Sequence, residues 1–516
     1  MQQKKLIQVY KKYLPVFLVG IFSFFINYHY GFIGVMPMDS FVLYNGGYRI
    51  LNGYIPFNDY WLVTGPLLDY LNAFFFLING TNWKSFIIHS SLFNLIISII
   101  CYLMFVELGL QKKFSTIYSI FFSILFYPVV GTPFVDHHST FFLILMFCSF
   151  IFGVVKNNNL YFIIMPILFV LSFLSKQTPA VYGFLGVLFL LMLYLFYDLK
   201  KNIKILTPLI FGSVISILFL FAFFYFTEIN ITNFYEQYIL YAKTIGDSRF
   251  STYEFDLFGT ILEYKFIFIL LIFLICILIK LWKHKDIKII FTIIPIIILS
   301  SLLIFHQYYT LNQNYIFFLI PLITGIIHVF YKKTFKNKFI LLFIFLIFVF
   351  STTKYHIRFN EHRKFNELEK VDLSKAIDAE ILTKDLSGLK WITLQYPNNP
   401  EEEIRNIKEA MKIISMDKTN KTIITDYQFL APALKIYDYS PNQWHHPTVS
   451  FPLKNQKYHE KYKNFFIESL KINNIDTVYE ISKNKDFIIE LIINNDCLEK
   501  SFLSTMTTKF KLIITI

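Results

Sequence analysis

Charge is scarce in this chain, and the scarcity decides its class. Only 16% of the 516 residues are charged and 55% are hydrophobic, where a soluble globular protein carries about 25% charged residues. That excludes a wholly soluble protein and a disordered one. Cysteine is scarce as well. Cys101, Cys148 and Cys276 sit inside apolar runs and Cys497 stands alone in the tail, so there is no disulfide framework and no thiolate zinc site. There is no internal repeat, no collagen-like glycine period, and no low-complexity tract beyond a bias toward Ile, Phe, Lys and Asn. No small-residue cleavage site follows Gly20, so the first apolar stretch, preceded by Lys4, Lys5, Lys11 and Lys12, is expected to be an uncleaved span.

Aromatics and aliphatics fill the space. The chain has 62 Phe, 34 Tyr and 5 Trp, and its mean hydropathy is +0.51. A polytopic membrane protein is the expectation. The net charge of +13 does not signal nucleic acid, because of where it sits. From Lys354 onward 24 basic residues face 22 acidic ones, while the first 353 residues hold 24 basic and 13 acidic. Most of the early basics cluster in short loops between apolar runs, where they orient a membrane protein.

A span needs about 20 mostly apolar residues. Eleven spans are expected: 14–35, 85–108, 114–130, 139–155, 160–175, 179–197, 205–226, 264–281, 288–305, 315–330 and 339–353. The apolar segment Pro66–Ile78 is short and follows a polar loop, so it reads as a helix lying at the interface. With the N-terminus cytoplasmic, 18 Lys and Arg fall inside and 6 outside, which favours that orientation and puts the C-terminal part outside. The division is thus 1–353, a membrane domain, and 354–516, an extracytoplasmic soluble α/β domain. In that tail, apolar runs shorten to strand length at Thr422–Thr425, Thr477–Ile481 and Leu512–Ile516, and Pro400 with three following Glu residues opens a helix.

Polar chemistry concentrates on the outer side. Ten of the 13 acids before Lys354 fall there. Asp39 stands at the mouth of the first span, either as a functional carboxylate or as the cap of a helix Ser40–Leu51. The second outer loop holds Asp136, His137 and His138, an acid with two imidazoles suited to a divalent cation or to proton transfer, or else to a helix cap. Lys176 is a lone outside lysine, either a fixed ammonium for an anionic substrate or a snorkelling one. His306, Tyr308, Tyr309, Asn312 and Asn314 form a rim or an aromatic belt. In the tail, Asp426-Tyr427, Trp444 and His445 could border an acceptor, with a buried Trp and a Pro441-Asn442 turn as the alternative.

One stretch is more specific. Residues 47–60 read Gly47-Tyr-Arg-Ile-Leu51-Asn-Gly53-Tyr-Ile-Pro56-Phe-Asn-Asp59-Tyr60, followed by Gly65-Pro66-Leu67. With Asp39 ahead of it, this resembles the first outer loop of the GT-C glycosyltransferases. That superfamily includes protein O-mannosyltransferases, the aminoarabinose transferase of lipid A and many bacterial mannosyl-, arabinosyl- and galacturonosyltransferase-like proteins. The resemblance implies a GT-C-like bundle, a polyprenyl-phosphate-linked sugar donor used at the outer face, and inversion at the anomeric carbon. It matches Asp39 to the acid that deprotonates or orients the acceptor, and Lys176 to a lysine that binds the donor phosphate. It matches Asp136, with His137 or His138, to a second-loop acid that some members use around a metal. Asp39-Ser40 departs from the Asp-Glu pair of the protein O-mannosyltransferases.

The expectation is therefore an inverting glycosyltransferase of a bacterial cytoplasmic membrane. It would take a lipid, glycan or protein acceptor and no nucleic acid. A divalent metal is a candidate cofactor, and Arg49, Asp59, His306 and Tyr309 form a candidate substrate rim. A carboxylate must take the acceptor proton and a cation must stabilise the leaving phosphate. The competing readings are a glycolipid transporter or flippase, which would place charges near mid-membrane in broken helices, and a non-catalytic membrane protein with an outer binding domain.

Overall fold

The computed structural model describes residues 2–252, 256–310, 315–335, 337–484 and 486–513, with side chains from residue 13 onward and without those of residues 250–252. Apolar runs become helices throughout the first two-thirds of the chain. In order they are α1 (Gln2–Tyr30), α2 (Pro37–Leu51), α3 (Leu67–Asn79), α4 (Trp83–Glu107), α5 (Lys112–Leu125), α6 (Val135–Lys156), α7 (Leu160–Ser175) and α8 (Gln177–Tyr197). There follow α9 (Leu199–Asn202), α10 (Leu206–Thr227), α11 (Ile231–Phe234), α12 (Ala242–Thr252) and α13 (Leu257–Glu263). The set closes with α14 (Lys265–Trp282), α15 (Ile287–Thr310), α16 (Leu319–Thr334) and α17 (Lys338–His356).

Among the described residues, nine helices are long and apolar enough to cross a membrane. They correspond to nine of the eleven expected runs. The other two form shorter helices, the 14-residue α5 and the 16-residue α7. At 1.5 Å per residue these rise about 21 and 24 Å, less than the roughly 30 Å of a hydrocarbon layer. The segment expected at the interface is α3, whose Phe74, Leu77 and Ile78 are exposed while Asp69 and Asn72 are buried.

Two glycines shape the entry to this bundle. Gly53 ends α2 at φ +83°, a left-handed turn that any side chain would strain. Gly65 lies so close to α7 that a Cβ there would stand 1.9 Å from the Leu174 carbonyl oxygen, and its N–H donates to Ser175 O at 3.1 Å. The first outer loop is thereby fastened to the α7–α8 turn.

The tail carries the helices α18 (Pro400–Met416), α19 (Leu430–Leu434), α20 (His459–Ile472) and α21 (Ile488–Ile492), and two small sheets. The Asn399 side chain accepts from Glu402 N, Pro400 takes the first helical position, and Glu401, Glu402 and Glu403 fill the first turn, as the sequence predicts. β1 (Ile377–Asp378) pairs antiparallel with β2 (Lys390–Trp391). The larger sheet contains β3 (Lys421–Thr425), β4 (Thr477–Ile481), β5 (Leu498–Phe502) and β6 (Thr507–Leu512) in the order β3-β4-β6-β5. β3 and β4 are parallel and the other pairs antiparallel. The first two expected strands form where predicted. The third begins five residues earlier, at Thr507, and residues 514–516 lie outside the described set.

Tail and bundle share one hydrophobic core, which runs from Val35 and Phe41 to Trp391, Tyr427 and Phe429. The 353/354 boundary falls within α17. Just beyond it, the fully buried Arg363 guanidinium donates to the carbonyls of Ile33, Pro128 and Val130 at 3.0, 2.8 and 2.7 Å.

Candidate functional site

Lys176 occupies a one-residue break between α7 and α8, with extended backbone (φ −159°, ψ 136°). Its N–H donates to Ser172 O at 3.0 Å and its carbonyl accepts from Ser139 Oγ of α6 at 3.1 Å, so α6 fixes the junction. From there the ammonium reaches Asp136 Oδ2 at 2.6 Å. Asp136 lies in the first turn of α6 and is fully buried. Its other oxygen, Oδ1, meets His306 Nε2 of α15 at 3.2 Å. Three elements distant in sequence thus supply a carboxylate held between an ammonium and an imidazole. A lone buried carboxylate would be expensive, and these partners offset its desolvation.

Asp39 stands beside this cluster. The cap reading does not hold: α2 starts at Pro37 with Met36 as its N-cap, and no side chain caps it. Asp39 instead lies in the first turn, where burial pushes its carboxyl up from the usual 3.8 to about 6. Lys176 and a hydrogen bond from the Trp444 side chain oppose that rise, while the charges of Asp136 and Asp426 add to it. The residue from the first loop, the lysine and acid of the bundle, and two tail residues therefore sense one another. Asp426 follows the end of β3, and burial raises its carboxyl to about 6 as well.

Other residues hold the tail in place. Arg49, 1% exposed, donates to Asp438 Oδ2 through Nε at 2.9 Å and Nη2 at 2.6 Å, and also to the carbonyls of Ser440 and Asn442. Asp69 accepts from Gln443 Nε2 at 2.9 Å and from Tyr60 OH at 2.9 Å. Trp61 N donates to Pro441 O at 2.8 Å. The segment 438–444 is seated on α2 and α3 by these bonds, which brings Trp444 to Asp39. Arg49, expected at a substrate rim, is engaged entirely in this seating.

The remaining candidates scatter. Asp59 is exposed and accepts from Ile55 N at 2.6 Å, closing a turn. Tyr309 donates to Gly246 O at 2.9 Å and stacks on Phe305. Asn312 and Asn314 lie outside the described residues. His137 and His138 point to different places, as neighbours on a helix must. His137 packs its ring on Tyr315, with centroids 4.1 Å apart. His138 enters a buried chain that the sequence alone does not reveal. Tyr127 OH lies 2.6 Å from its Nδ1, its Nε2 lies 2.9 Å from His89 Nε2, and His89 Nδ1 lies 2.7 Å from Asn72 Oδ1. One consistent assignment has the Tyr127 hydroxyl donating to His138, His138 to His89, and His89 to Asn72, with both rings neutral. Its only sequence signal is a lone histidine within an apolar run, at 89. His445 is buried, 3.5 Å from Ser440 Oγ through Nε2.

The donor set does not suit a metal ion. Among the described residues no group of three or more His, Cys, Asp or Glu gathers for one, and Lys176 and His306 each take one of the two Asp136 oxygens.

An apolar groove of about 610 Å3 opens between α7, α8 and α10, lined by Met165, Phe169, Phe184, Leu191, Leu209 and Leu220 among others. Its α8 wall begins about 12 Å along the helix axis from Lys176.

Fold and site together define an α-helical membrane protein that crosses the bilayer several times and sets a half-buried acid beside a buried acid–lysine pair and a tryptophan. No family model matches the sequence, and no curated protein matches it.

Proposed function

We propose that the chain is an inverting glycosyltransferase of the GT-C type, which moves a sugar from a polyprenyl-phosphate donor to an acceptor hydroxyl. The carrying observation is that Lys176 of the bundle and Trp444 of the tail both act on the carboxyl of Asp39 from the first loop. Asp39 takes the acceptor hydroxyl proton. The acceptor oxygen attacks the anomeric carbon, the bond from that carbon to the phosphate oxygen breaks, and polyprenyl phosphate leaves with the electron pair. A carboxyl near 6 is ionised at neutral pH and is a stronger base than an ordinary one.

Lys176 stabilises the departing phosphate. Asp136 holds the ammonium through one hydrogen bond, and an ammonium has three N–H groups to give. The apolar groove between α7, α8 and α10 suits the prenyl chain, since it starts on the two helices that meet at Lys176. Counting α5 and α7 with the nine longer helices gives eleven crossings. The 18-to-6 charge split supports a cytoplasmic N-terminus and an outer tail, in a bacterial cytoplasmic membrane.

The test is a deletion strain rescued by wild type or by Asp39→Asn at matched protein level, with its glycans and glycolipids compared. Wild type restores a missing sugar and Asp39→Asn does not. Full restoration by Asp39→Asn would remove Asp39 as the base.

A further inference from the structure

A cavity of about 250 Å3 lies at the carboxyl ends of the two parallel strands β3 and β4, bordered by Thr425 and Asp426 on one side and Ile481 and Ser482 on the other. In open α/β sheets that edge is where ligands bind, because the strands end there and loops splay apart. Met38, the neighbour of Asp39, closes its other wall. The residue before the proposed base therefore borders the cavity, and Asp426 in its wall acts on the Asp39 carboxyl.

Two of its polar groups lack partners. Asp426 has no side-chain hydrogen-bond partner among the described residues; His446 opposes the rise of its carboxyl. His445 is 7% exposed, borders the cavity, and has no partner at Nδ1. Glu480, by contrast, is engaged by the N–H groups of Ile488 and Ile489 at 2.5 and 3.3 Å. Asp486 adds a further carboxylate, and among the described residues no Lys or Arg lines the space. Drug-sized ligands need about 300–1,000 Å3, so this volume suits a single ring.

We infer that this cavity is the acceptor subsite, and that it takes one hydroxyl-bearing sugar ring that is neutral or carries an amine, and excludes rings with a carboxylate or phosphate. The inference rests on the transferase reading for the word acceptor, but not for the binding. Asp426 and His445 take up ring hydroxyls, the acidic wall repels anions, and the ring's reactive hydroxyl points past Met38 toward Asp39.

The test is ligand-observed NMR titration of the full chain in nanodiscs, with no donor present. The probes are methyl glucoside, methyl 2-amino-2-deoxyglucoside and methyl glucuronide. The amino and neutral rings bind, and the glucuronide binds about five- to tenfold more weakly, the difference between a charge-assisted and an ordinary hydrogen bond. Asp426→Asn, checked for an unchanged melting temperature, narrows the gap between the amino ring and the glucuronide. A glucuronide that binds wild type as well as the amino sugar overturns the inference without any variant. So does a gap unaltered in a folded Asp426→Asn. A charge series without any sugar transfer upholds the cavity as a sugar site and removes the transferase reading. Transfer without a charge series does the reverse.

Discussion

Replacing Asp39 with Asn removes a charge that the fold does not readily accommodate, and the size of the effect follows from the displacement of its carboxyl from 3.8 to about 6. Each unit is worth about 1.4 kcal/mol. The folded state holds the proton more tightly than the unfolded chain, so between these two values the native state binds more protons and wild-type stability falls as pH rises. About one unit above pH 6 the loss is complete, at about 3 kcal/mol. Asn has no proton to lose. At pH 7.5 Asp39→Asn is therefore more stable than wild type by about 3 kcal/mol, and by pH 5 the difference has shrunk to about half. The assay is thermal melting of the detergent-solubilised protein, followed by tryptophan fluorescence at pH 7.5, 6 and 5. A variant that melts below wild type at pH 7.5 refutes the reasoning, and so does a difference that does not shrink below pH 6. A helix cap would give the opposite result, since losing a cap costs about 1 kcal/mol at any pH where it is made. The substitution expected on the proposed reading to abolish transfer thus stabilises the protein.

The same carboxyl sets the pH profile. The base must be ionised, so the initial transfer rate at limiting acceptor rises with pH through about 6 and levels off above it; a rate falling over that range would exclude Asp39 as the base. Asp136→Asn leaves the Lys176 ammonium without its anion. Removing one partner of a buried pair costs about 3–5 kcal/mol, and the partial exposure of Lys176 puts the expectation at the low end. Asp136→Asn with Lys176→Met regains part of the loss, and equal melting of the single and double variants would show the pair to be energetically idle. Arg49→Met strips Asp438 of its buried partner and loosens the tail, at a cost of about 3–5 kcal/mol; the readout is faster protease cleavage in 436–448, and cleavage at the wild-type rate would contradict the seating role.

The helices were legible because a long apolar run has few other solutions in lipid. The site was legible in part, and for a related reason. In a chain with so few charges, Asp39, Asp136 and Lys176 stand out wherever they occur. What could not be read was their use. Spacing along a helix reports which residues share a face, but Arg49 and Asp438 are 389 positions apart. Only the packed fold tells that Arg49 is a seat for the tail and not a rim for substrate. Asp59 looked functional within its motif and closes a turn. His89 and His138, 49 positions apart, meet only once α4 and α6 pack.

The tail's place beside Asp39 follows from the same packing. Burial is the largest cause of the raised Asp39 carboxyl, and tail residues contribute on both sides, Asp426 raising it and Trp444 lowering it. A first-loop acid open to water would sit near its ordinary value and be a poorer base at neutral pH. The buried bonds from Arg49 to Asp438 and from Gln443 to Asp69 hold segment 438–444 on α2 and α3, which limits the water that reaches Asp39. On the proposed reading the tail is thus a wall of the site as well as a neighbour to it, and Asp426, which acts on the Asp39 carboxyl, also borders the cavity at the ends of β3 and β4.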